Sequence, residues 1–193
     1  MSRTVNEKRP EELLEAIVHY LTIHGLADLS LRPLAKAVGS SPRVLLYYFG
    51  SKEKMVIRAL AAIRQRQRAS YHQLQDASLS KACGTIWKHM SAPDSEPFFR
   101  LFFEVYGLAL RRPQVYKDFL HATIEDWLEF TADSLGREGY GKKEARAVAT
   151  VVVAGLRGFM LDFCASHDRR RLDLAVSLWL RTLDSIMTDA KEA

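Results

Sequence analysis

The stretch Leu34-Ala-Lys-Ala-Val-Gly-Ser-Ser-Pro-Arg-Val-Leu-Leu-Tyr-Tyr-Phe49 contains the signals for two short helices joined by a tight turn. Ala35 is small enough for a second helix to cross close to it. Gly39, four residues on, supplies the positive φ that a turn between two helices requires. Ser41 offers a side-chain oxygen to the free N–H groups of the next helix, and Pro42 occupies its first position, where a missing N–H is harmless. Leu34, Val38, Leu45 and Phe49 provide the apolar faces that hold the pair together. The segment therefore specifies a helix-turn-helix. An ordinary helical hairpin would share the turn and the caps, but it would not call for the basic and aromatic residues that surround them.

Outward from this motif, a chain of 193 residues is long enough for one large or two small domains, each with a real core. With 48% apolar and 26% charged residues, the composition is that of a globular protein and not a disordered one. The most apolar run, Ala147 to Leu156, is short and interrupted by Thr150 and Gly155. No membrane-spanning segment is expected from it, and the polar N-terminus shows no signal-peptide core. Cys83 and Cys164 lie far apart in apolar contexts and read as reduced thiols of a cytoplasmic protein. Charge is unevenly placed. Residues 1–70 hold 12 Lys and Arg against 6 Asp and Glu, whereas the remainder holds 16 against 17. A basic first third carrying a helix-turn-helix is the electrostatic footprint of a protein that reads duplex DNA.

Periodicity predicts helices throughout. A first helix spans Pro10 to His24, with Glu11, Glu12 and Glu15 near its positive end and Gly25 just past its close. Ser30 is expected to cap a second helix (31–38), and a third runs from Pro42 to about Tyr48. Ser51 caps a long connecting helix of about residues 52–72, whose Arg64-Gln-Arg-Gln-Arg68 half reads as solvated. Further helices are expected over 80–91, over 98–112 after breaks at Pro93 and Pro97, and from Pro113 to about 135. Two more, over 142–166 and about 169–189, close the chain, the last capped by Asp168. Between Ala147 and Phe163 only Thr150, Arg157 and Asp162 are polar, so that helix needs cover on two sides. The expected fold is all-α. A helix-turn-helix DNA-binding head occupies residues 1–55, and a larger helical domain for ligand binding and dimerisation occupies 56–193.

This arrangement resembles the TetR (tetracycline-repressor) family of bacterial transcription regulators, at motif level over about residues 10–58. The matching residues are Gly39, Ser41, Leu45, Tyr48, Phe49, Ser51, Lys52 and Glu53. Arg43 stands where the family commonly has Gly. Leu46 stands where it commonly has a phosphate-touching Tyr, so Leu46 is not carried over as a DNA ligand. From the residues themselves, Arg43 at the start of the third helix can span the two acceptors of a guanine. Tyr47 and Tyr48 suit phosphate or a thymine methyl, and Lys52 at a helix N-terminus suits a phosphate. Ser30, Ser41 and Pro42 complete the expected DNA-facing set, together with Arg32, whose base-reaching position the resemblance implies.

The resemblance further implies a small-molecule pocket in each tail, a homodimer built from the last two helices, and a repressor released from a palindromic operator. Trp87, Phe99, Phe102, Phe103, Tyr106, Trp127, Phe159 and Phe163 are the expected apolar walls, which suits an apolar or aromatic effector, with His121 as an orienting polar group. Each of these aromatics taken alone is equally at home in a core. Leu172, Ala175, Val176, Trp179, Leu183 and Ile186 are expected at the dimer interface. No phosphate loop, nucleophile elbow or zinc-protease motif is present, and His121 with Glu125 does not make a metal site. No catalytic residue, cofactor or metal is therefore assigned.

Overall fold

A computed structural model describes the backbone of residues 9–71, 74 and 77–192, and the side chains as far as Ser185. The described residues form α1 (Arg9–His24), α2 (Leu31–Ala37), α3 (Pro42–Phe49), α4 (Lys52–Tyr71), α5 (Leu79–Met90), α6 (Glu96–Arg111), α7 (Pro113–Arg137), α8 (Lys142–Ser166) and α9 (Arg169–Glu192). A 3-10 turn, Pro93–Ser95, precedes α6. The all-α expectation holds. Pro97, expected to break the chain, instead lies within the first turn of α6, where helix N–H groups have no partner to lose.

The contacts group these helices into two compact units. The first comprises residues 1–68 and 100–119, the second residues 69–99 and 120–193. In the first, Leu13, Ile17 and Leu21 of α1 are buried with Leu34 and Ala35 of α2 and with Leu45 and Phe49 of α3, as the apolar spacing predicts. Two carboxylate contacts bring α6 and its end onto this head. Glu104 accepts a 2.5 Å hydrogen bond from the Leu26 amide, in the turn after α1. Arg112, just past α6, lies 3.7 Å from Glu53 of α4. The polar half of α4 is largely exposed, as expected, with Gln65, Arg66 and Arg68 at the surface, where Arg66 pairs with Glu15 of α1.

In the second unit α5, α8 and α9 pack together. Trp87 of α5 is buried, with Phe159 and Phe163 edge-on to its ring. Its indole N–H donates to Asp173 of α9 at 2.7 Å. Leu128 of α7 is buried with Ala149 and Val153 of α8, flanked by Ile124, Trp127 and Ala132. Arg171 closes the α8–α9 corner, donating to both oxygens of Asp162 (2.5 and 3.0 Å). Asp168 caps α9 as expected by accepting from the Arg171 amide at 3.1 Å. Neither Cys83 nor Cys164 is joined in a disulfide. Burial beside Asp184 pushes the Cys83 thiol up to about 12.

α8 corrects one expectation, because the whole helix is long and apolar enough to cross a bilayer by length and composition. Thr150 and Gly155 do not interrupt it, since a helix tolerates both. Its two faces have separate fates. Ala145, Ala149, Val152, Val153, Leu156, Met160 and Phe163 are buried within the unit. Its Arg146 pairs with Glu125, and Arg157 donates to the Thr123 carbonyl.

Candidate nucleic-acid interface

The helix-turn-helix is built as its sequence dictates. Gly39 adopts φ +63°, and a Cβ there would meet nothing within 4 Å, so the position needs glycine for its backbone and not for space. Ser41 accepts a hydrogen bond from the Val44 amide at 3.3 Å, with Pro42 at the first helical position. Ser51 does the same for the Lys54 amide at 3.1 Å, which starts α4. Ser30 departs from expectation. It sits at the N-cap of α2 with extended backbone, but its side chain makes no capping bond. Its hydroxyl is thus exposed and not spent on the helix end.

With Leu45 and Phe49 turned inward, the helical period puts Arg43, Leu46 and Tyr47 on the outward face of α3, all exposed. Tyr47 is 73% exposed, large for an aromatic with nothing to cover it. Its ring meets that of half-buried Tyr48 edge-on at 5.1 Å. On α2, Arg32 and Lys36 are exposed one turn apart. Lys52 is placed differently from a fully free cation: it is half-buried and its ammonium donates to the Leu29 carbonyl, tying the turn before α2 to the start of α4. An ammonium has three donors, so this bond leaves capacity for a phosphate.

Sequence reading passed over several groups that the tertiary structure brings to this head. Arg9 donates to the Gly39 carbonyl at 3.4 Å, and Arg58 stacks its guanidinium over the Phe49 ring at 5.1 Å. Lys54 and Arg58 are exposed. Leu46, set aside because the resemblance offers Tyr there, is 39% exposed between Arg43 and Tyr47. Spacing along α3 alone could have placed it on that face.

The expected effector-pocket residues fall into separate groups. Trp87, Phe159 and Phe163 form the packed α5–α8–α9 layer described above. Phe102, Phe103 and Tyr106 of α6 belong to the first unit, where their rings touch one another. Phe99 is buried against Phe98. Trp127 touches Phe130 and Tyr71. His121 is exposed on α7, and Glu125 beside it is held by Arg146, whose hydrogen bond keeps that carboxyl below its usual range.

The residues expected at a dimer interface need correction. Leu172, Val176 and Leu183 are at most 2% exposed and belong to the protomer's own core. Trp179 is half-buried, its ring within 2.7 Å of where a Cβ on Gly155 would stand. Ala175 is half-buried, and the Ile186 side chain lies outside the described residues. The exposed apolar residues of α9 are Leu174 (70%) and Leu178 (59%), two positions round the helix from the buried set. On α8 the matching exposed stripe is Ala147, Val151, Ala154, Gly158, Leu161 and Ala165.

Comparison with known proteins agrees with this geometry. Residues 13–59 match the model for bacterial regulatory proteins of the tetR family. A TetR transcription regulator from Haloarcula marismortui has a similar structure, with TM-score 0.74 and 18% identity over 92% of this chain and 97% of its own. So has a transcriptional regulator from Rhodococcus sp. Rha1, with TM-score 0.73 and 19% identity over 90% and 95%. Salmonella enterica GusR matches over the whole of both chains, with TM-score 0.69 and 18% identity. No curated protein matches the chain in sequence.

Proposed function

We propose that this chain is a transcriptional regulator of the TetR family, a reading supported by the match of its residues 13–59 and by its fold, and that it acts as a cytoplasmic homodimeric repressor. It binds a palindromic operator and is released by an apolar or aromatic small molecule. The head of residues 1–55 reads DNA through Ser30, Arg32, Ser41, Pro42, Arg43, Tyr47, Tyr48 and Lys52, and residues 56–193 bind the effector and the partner copy. The observation that carries the DNA reading is the outward face of α3, where a forked cation, an aliphatic side chain and a phenol stand exposed together. Those three chemistries suit guanine, thymine methyl and phosphate in a major groove.

Support for the dimer comes from the exposed apolar stripes of α8 and α9. Uncovered Val151, Leu161, Leu174 and Leu178 are more than a monomer's surface needs, and a twofold contact buries them on both copies. Two heads then meet half-sites about 34–36 Å apart, or a multiple of it. The effector can release DNA only by binding the DNA-incompetent form more tightly. Selection of bound sequences from randomised duplex DNA tests the proposal. A palindromic consensus bound with steep salt dependence is expected, and binding without any sequence preference refutes the operator reading.

A further inference from the structure

Tyr71, the last residue of α4, is 5% exposed, and its hydroxyl oxygen is buried with no hydrogen-bond partner among the described residues. Buried hydroxyls in folded proteins nearly always have a partner, so one without demands a reason. Two rings frame this side chain. His89 of α5 meets it edge-on at 5.6 Å, and Trp127 of α7 lies tilted at 5.6 Å, backed by Phe130. His89 is exposed, so the ring cluster reaches solvent on that side. All of these residues belong to the second compact unit.

Building on the effector-controlled reading above, we infer that Tyr71 is the polar anchor of the effector site, and that the effector is a neutral aromatic compound bearing a carbonyl oxygen. The flat rings of Trp127 and His89 suit a flat aromatic body. Burial raises the Tyr71 phenol above its ordinary value, so at neutral pH it is a protonated donor in want of an acceptor. A ketone, ester, amide or quinone oxygen satisfies it without bringing a charge into an apolar setting. A carboxylate would have to shed its hydration there, which disfavours it. The selectivity is steep because the anchored partner loses little, whereas a ligand without the oxygen leaves the phenol as unsatisfied as before. The same helix that ends at Tyr71 begins at Lys52, immediately after the recognition helix, so the anchor and the DNA head share one element.

The test uses the full chain, wild type and Tyr71→Phe, titrated by calorimetry with three probes of one shape. These are 2-acetylnaphthalene, 2-isopropenylnaphthalene, in which CH2 replaces the oxygen, and 2-naphthoate. Wild type is expected to bind the ketone at least tenfold more tightly than the alkene, and the naphthoate no more tightly than the alkene. Tyr71→Phe should erase the ketone preference, leave alkene binding unchanged and unfold at the same or a higher temperature. A preference that survives in Tyr71→Phe overturns the inference. So does failure of the ketone to bind wild type, or a drop in melting temperature showing that the hydroxyl already serves an internal water. Binding to duplex DNA, measured on the same preparations, separates the two proposals. Intact DNA binding with no ketone preference refutes the anchor alone, and loss of DNA binding in wild type refutes the regulator reading alone.

Discussion

Arg43 and Lys52 are both cations at helix N-termini, yet their surroundings give them different work. Arg43 is exposed on the outward face of α3, so Arg43→Ala should relax preference at one symmetric base position of each half-site, by roughly 1–3 kcal/mol of discrimination. Selection on randomised sites measures this, and a uniform loss of affinity with an unchanged consensus would assign Arg43 to the backbone instead. Lys52 already holds the Leu29 carbonyl. Lys52→Ala is expected to lower the melting temperature and also to reduce the salt slope of DNA binding by roughly 2 per dimer, because one phosphate contact per head is lost. A lowered melting temperature with an unchanged slope would make Lys52 a structural tie only. Gly25 is a third case. It has φ +70°, and a Cβ there would stand 2.7 Å from the Glu104 carboxylate that holds the Leu26 amide. Gly25→Ala should cost about 2–3 kcal/mol, from left-handed backbone strain and the lost charged hydrogen bond. In a Gly25→Ala/Glu104→Ala double mutant the two losses should add to less than their sum, since both break the same contact.

Pairs of helices bring in effects that neither helix has alone. Gly155 of α8 admits the Trp179 ring of α9, whose Cζ2 would lie 2.7 Å from an added Cβ. Gly155→Ala should therefore destabilise the pair by about 1–3 kcal/mol through overpacking, seen in chemical denaturation. At the α8–α9 corner the two-pronged hydrogen bond from Arg171 holds the Asp162 carboxyl below its ordinary value. A carboxyl lowered in the folded state contributes stability that is present above its unfolded value and lost as pH falls through the folded one. The melting temperature of Asp162→Asn should thus lie below wild type at pH 7, and the gap should close as pH falls below the usual Asp range. A gap independent of pH would mean that the charge is not its source. The element boundaries themselves were largely legible in sequence, because caps and turns are local. Gly39, Ser41, Pro42, Ser51 and Asp168 each act within a few residues of their own position. Pro97 was misjudged because proline both breaks helices and begins them, whereas Ser30 takes the expected cap position without spending its side chain there.

For the whole molecule, the exposed stripes of α8 and α9 set the expected assembly. Leu174→Glu combined with Val151→Glu should give a monomer by light scattering at micromolar concentration, with the helical fold retained by circular dichroism. A dimer that persists would move the interface elsewhere. By itself the sequence determined the all-α architecture, the helix-turn-helix, and the basic character of the first third of the chain, since periodicity, capping and charge are properties of neighbouring residues. Tertiary structure decided which side of each helix is used. It sent Leu172, Val176 and Leu183 into the protomer's core and left Leu174 and Leu178 outside. It also brought Glu104 to Leu26 across 78 residues and buried the Tyr71 hydroxyl, setting rings of α5 and α7 against the Tyr71 ring. An apolar stripe records that a face will be covered but not by what, because apolar burial carries no direction of its own.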